Sequence, residues 1–297
     1  MAHTVSCVIP TYARATQLDD AVEAARAQTH MPAEVIVVDD GPQDASARQP
    51  VRDWAGSPLV VVVDNPDGQG ASSARNTGAE RASGSLLAFL DDDDRWDPTY
   101  LARALDRLES ADVDLVVTWA WLCFEDGTRL PGPAMPEGLT VADVVAINPG
   151  LTGSNLVITR SAFDQIGGFD PALTVSNDKD LLVRFLDAGL RYAVVEDRLV
   201  RKTEHERDRL TRPSLARVAA LGAYERKHAD RLSRRQRWQL RAKRARVRRR
   251  AAESLLDRSR ATGVLLVCLI LGGPVEGLPR ALQRLLAGQR SAPGQEG

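Results

Sequence analysis

Two residue types that often carry catalysis are scarce in this chain of 297 residues, which has three cysteines and four histidines. Cys7, Cys123 and Cys268 stand far apart and form no C-x-x-C pair. That argues against a zinc site or a disulfide framework and suits a reducing cytoplasm. No histidine pair has H-E-x-x-H spacing, no Gly-Lys dipeptide is available for a phosphate-binding P-loop, and no G-x-S-x-G marks a serine hydrolase. Gly68 and Gly70 give G-x-G between a strand-like and a helix-like segment, but Ser73 takes the third glycine position, so the dinucleotide fingerprint is incomplete. Long apolar runs are missing too. "VLLVCLIL", 264–271, has eight residues, where a membrane-spanning helix needs about 20. The first apolar run begins within a few residues of Met1, and the reading expects no signal peptide.

What is present is unevenly charged. The formal net charge is -1, but residues 1–200 carry 15 basic and 31 acidic side chains, a net -16. Residues 201–260 carry 21 basic and 7 acidic, a net +14. An acidic part is joined to a strongly basic one, with different tasks expected of each. Hydrophobic residues make up 43%, enough for a sizeable core.

Along the acidic part, apolar runs alternate with helical spacing. "TVSCVIPTY" reads as a strand ended by Pro10, and "ATQLDDAVEAARAQT" as a helix, with Leu18, Ala21, Val22 and Ala25 on one face. "AEVIVVDDG" and "LVVVV" follow as buried strands, "SSARNTGAERAS" as a helix, and "LLAFL" as a fourth strand. "DPTYLARALDRLES" reads as a helix with Asp97 as N-cap and Pro98 in the first turn, and "DLVVTWAWLCF" as a strand. "NDKDLLVRFLDAGL", 177–190, reads as a helix opening with acids, and "RYAVVEDRLVRKTEH", 191–205, as a strand leading to a histidine. Strands that are apolar throughout, separated by helices, predict a mostly parallel sheet covered on both faces.

Ligands of such sheets bind beyond the carboxyl ends of the strands. Two of those ends are acidic: Asp39–Asp40, and Asp91 to Asp94 in "LLAFLDDDDRWDP". Four successive carboxylates repel one another, and each costs free energy beside an apolar core. A solvated acidic loop is one reading. A hard divalent cation such as Mg²⁺ or Mn²⁺, which prefers oxygen ligands, is the other.

The ordered set of segments resembles a family-2 glycosyltransferase of inverting type and GT-A fold. "VSCVIPTYARATQLDDAVEAARAQT", "EVIVVDDGPQDAS", "GASSARNTGAERASGSLLAFLDDDDRWDP" and "VITRSAFDQIGGFDPAL" followed by "NDKDLLVRFLDAG" carry the resemblance, over about residues 4 to 205. It implies transfer of a sugar from a nucleotide diphosphate donor to an acceptor, with a divalent metal. Asp40, with Asp39 beside it, would contact the base, Thr11 would line the nucleotide pocket, and Arg75 would lie near ribose and phosphates. Asp91 and Asp93 match the family's D-x-D and are the metal-ligand candidates, Asp93 foremost. Beside the resemblance, the physical logic of the site does not need all four acids as ligands: Asp92 would turn to the ribose and Asp94 would bond amides of the following turn. Asp178 matches the catalytic base. The position before it, usually glutamate, is Asn177, which cannot act as a base. Asp180 would orient Asp178 or bind the acceptor, and His205 stands where some members place a late metal or phosphate contact. Plainer readings accompany these: Asp39 and Asp40 as a turn before Gly41, Arg75 as a surface helix residue, and Asp178 as an N-cap. A non-catalytic nucleotide-sugar-binding or scaffold protein of the same fold is the alternative function.

The resemblance does not cover the basic part. The division expected is a GT-A domain over 1–212 and a basic helical extension over 213–297. Clustered arginines beside a short apolar run suggest peripheral contact with an anionic membrane surface, at the inner face of the cell membrane. A plain or oligomerising helical extension and nucleic-acid binding are the other readings, the last without any recognised motif.

Overall fold

The computed structural model describes residues 3–12, 15–41, 59–66, 70–204 and 213–272. The chain divides into two compact units, Met1–Val144 with Asn148–Glu206, and Val145–Ile147 with Arg207–Gly297.

In chain order the first unit holds β1 (Val5–Thr11), α1 (Ala15–Arg26), β2 (Glu34–Asp39), β3 (Val60–Asp64), α2 (Ala71–Arg81), β4 (Leu86–Phe89), β5 (Arg95–Trp96), α3 (Tyr100–Ala111), β6 (Leu115–Phe124) and β7 (Arg129–Pro131). It continues with α4 (Val141–Val144), β8 (Leu156–Thr159), α5 (Arg160–Gln165), α6 (Asn177–Asp187) and β9 (Tyr192–Glu204). The strands form one sheet in the order β3-β2-β1-β4-β8-β6-β9-β5, with β7 added on β6. The first four run parallel to one another. β8 lies antiparallel to both β4 and β6, and β6 and β9 are again parallel.

Period-two alternation sorts the buried side chains of β1 to the two faces. Val5, Cys7 and Ile9 share a core with Val35 and Val37 of β2, Leu86 and Ala88 of β4, and Leu90 just beyond it. Leu18, Ala21, Val22 and Ala25 of α1 and Tyr100, Leu101, Ala104 and Leu108 of α3 complete that core. On the other face α2 lies so close that a Cβ added at Gly78 would overlap Val8 and come within 3.0 Å of Val38 Cγ2. Helices thus cover both faces, as the apolar-throughout strands predict.

Several local expectations need correction. Pro10 does not end β1; Thr11 is its last residue. Pairing with β4 stops at Val8–Phe89, so the missing N–H of Pro10 costs no ladder bond. β3 is an edge strand rather than a buried one, with Val61 and Val62 exposed. Asp97 does not cap α3, which starts two residues later than a cap there implies. Its carboxylate instead closes a turn, accepting from the Thr99 amide at 3.1 Å and the Thr99 hydroxyl at 2.8 Å. The short strands β5, β7 and β8 and the helices α4 and α5 go beyond the sequence reading.

Among its described residues the second unit holds three helices, α7 (Leu215–Lys227), α8 (Arg234–Ala251) and α9 (Leu255–Gly272). Ser214 caps α7 through the Arg217 amide, and Ser233 with Gln236 forms a capping box on α8. "VLLVCLIL" is not a separate short segment but the later half of α9. Leu265, Cys268 and Leu269 pack on Ala242, Ala245 and Trp238 of α8. No helix among the described residues is long and apolar enough to cross a membrane.

The close approach of α2 gives a test. Alanine favours a helix interior over glycine by about 1 kcal/mol, but overpacking a core costs about 1–3 kcal/mol. Because the added carbon would overlap Val8 outright, the clash should win. Gly78→Ala should lower the denaturation midpoint; a more stable variant would mean that α2 can shift freely on the sheet.

Candidate active site

Beyond the carboxyl ends of the parallel strands, six segments converge: the ends of β1 and β2, the start of α2, the acidic turn after β4, the loop leading into β8, and the start of α6. The end of β9 closes the group.

The four carboxylates of the acidic turn have different environments. Asp92 is buried and accepts from the Thr11 hydroxyl at 2.8 Å, tying the turn to the end of β1. Asp91 is ion-paired with Arg75, and its amide donates to Ser154 Oγ at 3.0 Å. Asp94 is fully buried, taking the Ser154 hydroxyl at 2.6 Å and the Thr203 amide at 2.9 Å, with Lys202 Nζ 3.9 Å away. Asp93 is half-buried. One carboxylate oxygen each of Asp91, Asp93 and Asp94 lies within 4.8 Å of the others. Three hard oxygen donors around one point fit Mg²⁺ or Mn²⁺. The D-x-D pair is thus brought together, Asp94 joins it, and Asp92 is directed elsewhere. His205 lies outside the described residues.

Arg75 is not a surface residue. It is 5% exposed, lies over the Phe169 ring at 5.1 Å, and its Nε has no hydrogen-bond partner among the described residues. Phe169 is itself fixed by Asn76, which accepts from the Phe169 amide at 2.9 Å and donates to its carbonyl at 2.8 Å. The backbone of Gly153 approaches the Arg75–Asp91 pair so closely that a Cβ there would overlap the guanidinium and stand 2.9 Å from Asp91 Oδ1.

At the end of β2, Asp39 accepts from the Gly41 amide at 2.9 Å, the turn geometry of the plainer reading. Asp40 accepts from Asn65 Nδ2 at 2.7 Å and from the Gly70 amide at 2.6 Å, joining the end of β3 to the start of α2. Gly70 has φ of 123°, a backbone conformation that favours glycine.

Asp178 is not the N-cap of α6; Ser176 precedes the helix, and Asp178 is its second residue. Its carboxylate accepts from Asn148 Nδ2 at 3.1 Å and from the Lys179 amide at 2.7 Å. Burial raises its pKa, against the Lys179 amide and the charges of Arg75, Lys202 and Lys179. Asn177 donates to Ser72 Oγ at 2.9 Å and accepts from the Asp178 amide at 2.8 Å, fastening α6 to α2. Asp180 is fully buried and bonded to Arg184 Nε at 2.8 Å. Its carboxylate anchors the helix and is not open to an acceptor.

Sequence reasoning missed the loop 148–155. Asn148 accepts from the Gly150 and Leu151 amides, and Asn155 from the Thr152 amide while donating to the Thr118 carbonyl. These bonds shape a loop that delivers Gly153 and Ser154 to the acidic turn and Asn148 to Asp178. The signal was the turn-rich "NPGLTGSN" ahead of the apolar "LVIT". Lys202 had no sequence signal.

Comparison with known proteins fits this arrangement. The family model described as glycosyl transferase family 2 matches residues 6–167, and one described as glycosyl transferase family group 2 matches 138–281. The chain belongs to glycosyl transferase family 2. Glycosyltransferase AglE of Haloferax volcanii is 29% identical over 205 residues, covering 65% of this chain and 64% of its own. The putative teichuronic acid biosynthesis glycosyltransferase TuaG of Bacillus subtilis is 32% identical over 143 residues, 48% of this chain and 56% of its own. An uncharacterized glycosyltransferase of Haemophilus influenzae is 29% identical over 185 residues, covering 61% and 62%. The family-2 chain therefore spans less than two thirds of the length of each of these relatives. Among solved structures, S. aureus TarS 1-349 in complex with UDP-GlcNAc aligns with a TM-score of 0.62 at 17% identity, over 91% of this chain and 82% of that one. The shared fold is of GT-A type.

The buried carboxyl of Asp94 generates a pH test. Burial pushes it up to about 7; Lys202 opposes the shift, and Asp91 and Asp93 add to it. Such a group binds more protons folded than unfolded between its ordinary value of 3.8 and about 7. Its contribution to stability is present at the acid end of that window and lost as pH rises through it. Without metal, wild type should lose on the order of 2–4 kcal/mol relative to Asp94→Asn across the window. Denaturant titrations at stepped pH measure this; a flat or rising difference would contradict it.

Proposed function

We propose that the chain transfers a sugar from a nucleotide diphosphate sugar to an acceptor hydroxyl, with inversion at the anomeric carbon and Asp178 as general base. The observation that carries this reading is the convergence of Asp91, Asp93 and Asp94 with Arg75 and Asp178 at one edge of the sheet. Family membership supports the reaction class. The solved complex of TarS with UDP-GlcNAc supports a nucleotide-sugar donor. The name of TuaG accords with a cell-envelope acceptor.

In this reading Thr11, Asp39, Asp40 and Asp92 belong to the nucleotide side, where Asp40 ties β2 to the start of α2 and Thr11 with Asp92 ties β1 to the acidic turn. Arg75 supplies positive charge to the phosphates. Asp91, Asp93 and Asp94 would hold Mg²⁺ or Mn²⁺, which when bound neutralises charge on the departing diphosphate as a Lewis acid. The acceptor oxygen attacks the anomeric carbon from the face opposite the diphosphate. The carbon–oxygen bond to the diphosphate breaks, and its electron pair stays with the phosphate oxygen. Asp178 takes the acceptor's proton as attack proceeds. Burial makes this carboxylate a stronger base than an ordinary aspartate. Asn177 and Asp180 act on Asp178 by fixing the helix that carries it.

Asp178→Asn separates this enzyme from a binding protein of the same fold. Turnover should fall by about two orders of magnitude or more, while UDP affinity stays near wild type. The acid limb of the kcat profile should lie above the usual aspartate range and disappear in the variant. Unchanged turnover would reject Asp178 as the base.

The second unit is proposed to rest on an anionic membrane surface. α8 carries ten arginine and lysine residues and no acid. On α9, Val264, Leu266, Val267, Ile270 and Leu271 are all exposed, on the side away from the residues packed on α8. Basic charge beside an exposed apolar helix face suits anionic lipid. With Arg234, Arg248 and Arg249 changed to Gln, partitioning onto phosphatidylserine vesicles should fall on the order of a hundredfold at low salt, at about 1 kcal/mol per residue. Equal binding to neutral vesicles, or dimerisation without vesicle binding, would assign this surface to another partner.

A further inference from the structure

We infer that Lys202 is a further residue of the donor site, whose ammonium provides a fixed cation for the diphosphate beside the divalent ion. This rests on the glycosyl-transfer reading above.

Lys202 lies near the end of β9, paired in register with Leu122 of β6. Its ammonium is 3.9 Å from Asp94 Oδ2, and the side chain is 30% exposed. Asp94 does not depend on it for hydrogen bonding, since Ser154 and Thr203 satisfy that carboxylate at 2.6 and 2.9 Å. An ammonium has three donors. Among the described residues no acceptor lies within hydrogen-bonding distance of this one, so a charged group reaches the cleft with its donors unspent. Arg75 differs, being engaged with Asp91.

The residue after Lys202, Thr203, donates its amide to Asp94 at 2.9 Å, so the end of β9 that carries this ammonium is fastened to the acidic turn. The charge count points the same way. With a divalent ion bound, Asp91, Asp93 and Asp94 would contribute three negative charges to the cleft, and a diphosphate adds at least two. A divalent ion and Arg75 leave a surplus that Lys202 reduces.

The test uses the full chain, with UDP and inorganic pyrophosphate as probes, in Mn²⁺ and in chelator. Lys202→Gln keeps a side chain that can reach Asp94 but removes the charge. In Mn²⁺ it should weaken both probes by about ten- to a hundredfold, and Lys202→Arg should restore most of the loss. Manganese affinity by electron paramagnetic resonance and the melting temperature should change little. Unaltered affinity for both probes would overturn the inference. So would a loss of manganese binding as large as the loss of probe binding, which would make Lys202 a support for the acidic turn only. If Lys202→Gln fails to fold, Lys202→Arg decides alone: probe affinity near wild type supports a charge contact, and a loss matched by manganese binding overturns it. Wild type that binds neither probe in Mn²⁺ would defeat the donor reading, and this inference with it.

Discussion

Mutual repulsion among four successive carboxylates is the constraint around which the site is arranged. Each acid of the turn meets it differently. Asp92 is turned to the Thr11 hydroxyl, Asp91 is paired with Arg75, and Asp94 is buried among Ser154, the Thr203 amide and Lys202. A cation held by Asp91, Asp93 and Asp94 would relieve what remains. These compensations come from β1, α2, the loop before β8, and β9. The turn therefore has its geometry only when most of the sheet is assembled.

That dependence explains which parts were legible in the sequence. The parallel strands were, because burial on both faces leaves apolar runs with no alternation, as in "EVIVVD" and "LLAF". The acidic ends of β2 and β4 were legible for the same reason: a carboxylate straight after a buried strand is costly and so carries information. The antiparallel β8 was not, since four apolar residues, "LVIT", give no direction and little length. The α3 cap was misplaced because Asp, Pro and Thr in succession can close a turn or open a helix, and local chemistry does not choose between them. Lys202 was illegible because it sits in "VRKTEH" among charges that look solvated. Only the pairing of β9 with β6 brings it to Asp94.

The two units show opposite uses of charge. In the first, buried acids are individually matched by donors. In the second, arginines crowd along α8, and three of its four buried residues are the small or β-branched Ala242, Ala245 and Val247. Small residues let α9 pack closely there while long arginine stems extend around the contact. The outward side of α9 then keeps apolar side chains that no core in that unit claims.

β8 runs against its neighbours, and this reversal has a geometric consequence. In an all-parallel sheet, the edge beyond the strand ends receives only the segments by which the chain leaves its strands. Reversing one strand brings an entering segment to that same edge. The loop 148–155 arrives there for this reason, its Ser154 meeting the backbone of Asp91 as the chain heads into β8. The acidic turn is thus gripped by a segment about 60 residues later, whose Ser154 bonds both Asp91 and Asp94 and whose Gly153 leaves no room for a side chain. The two halves of the cleft are therefore remote in sequence and meet only through the reversed strand.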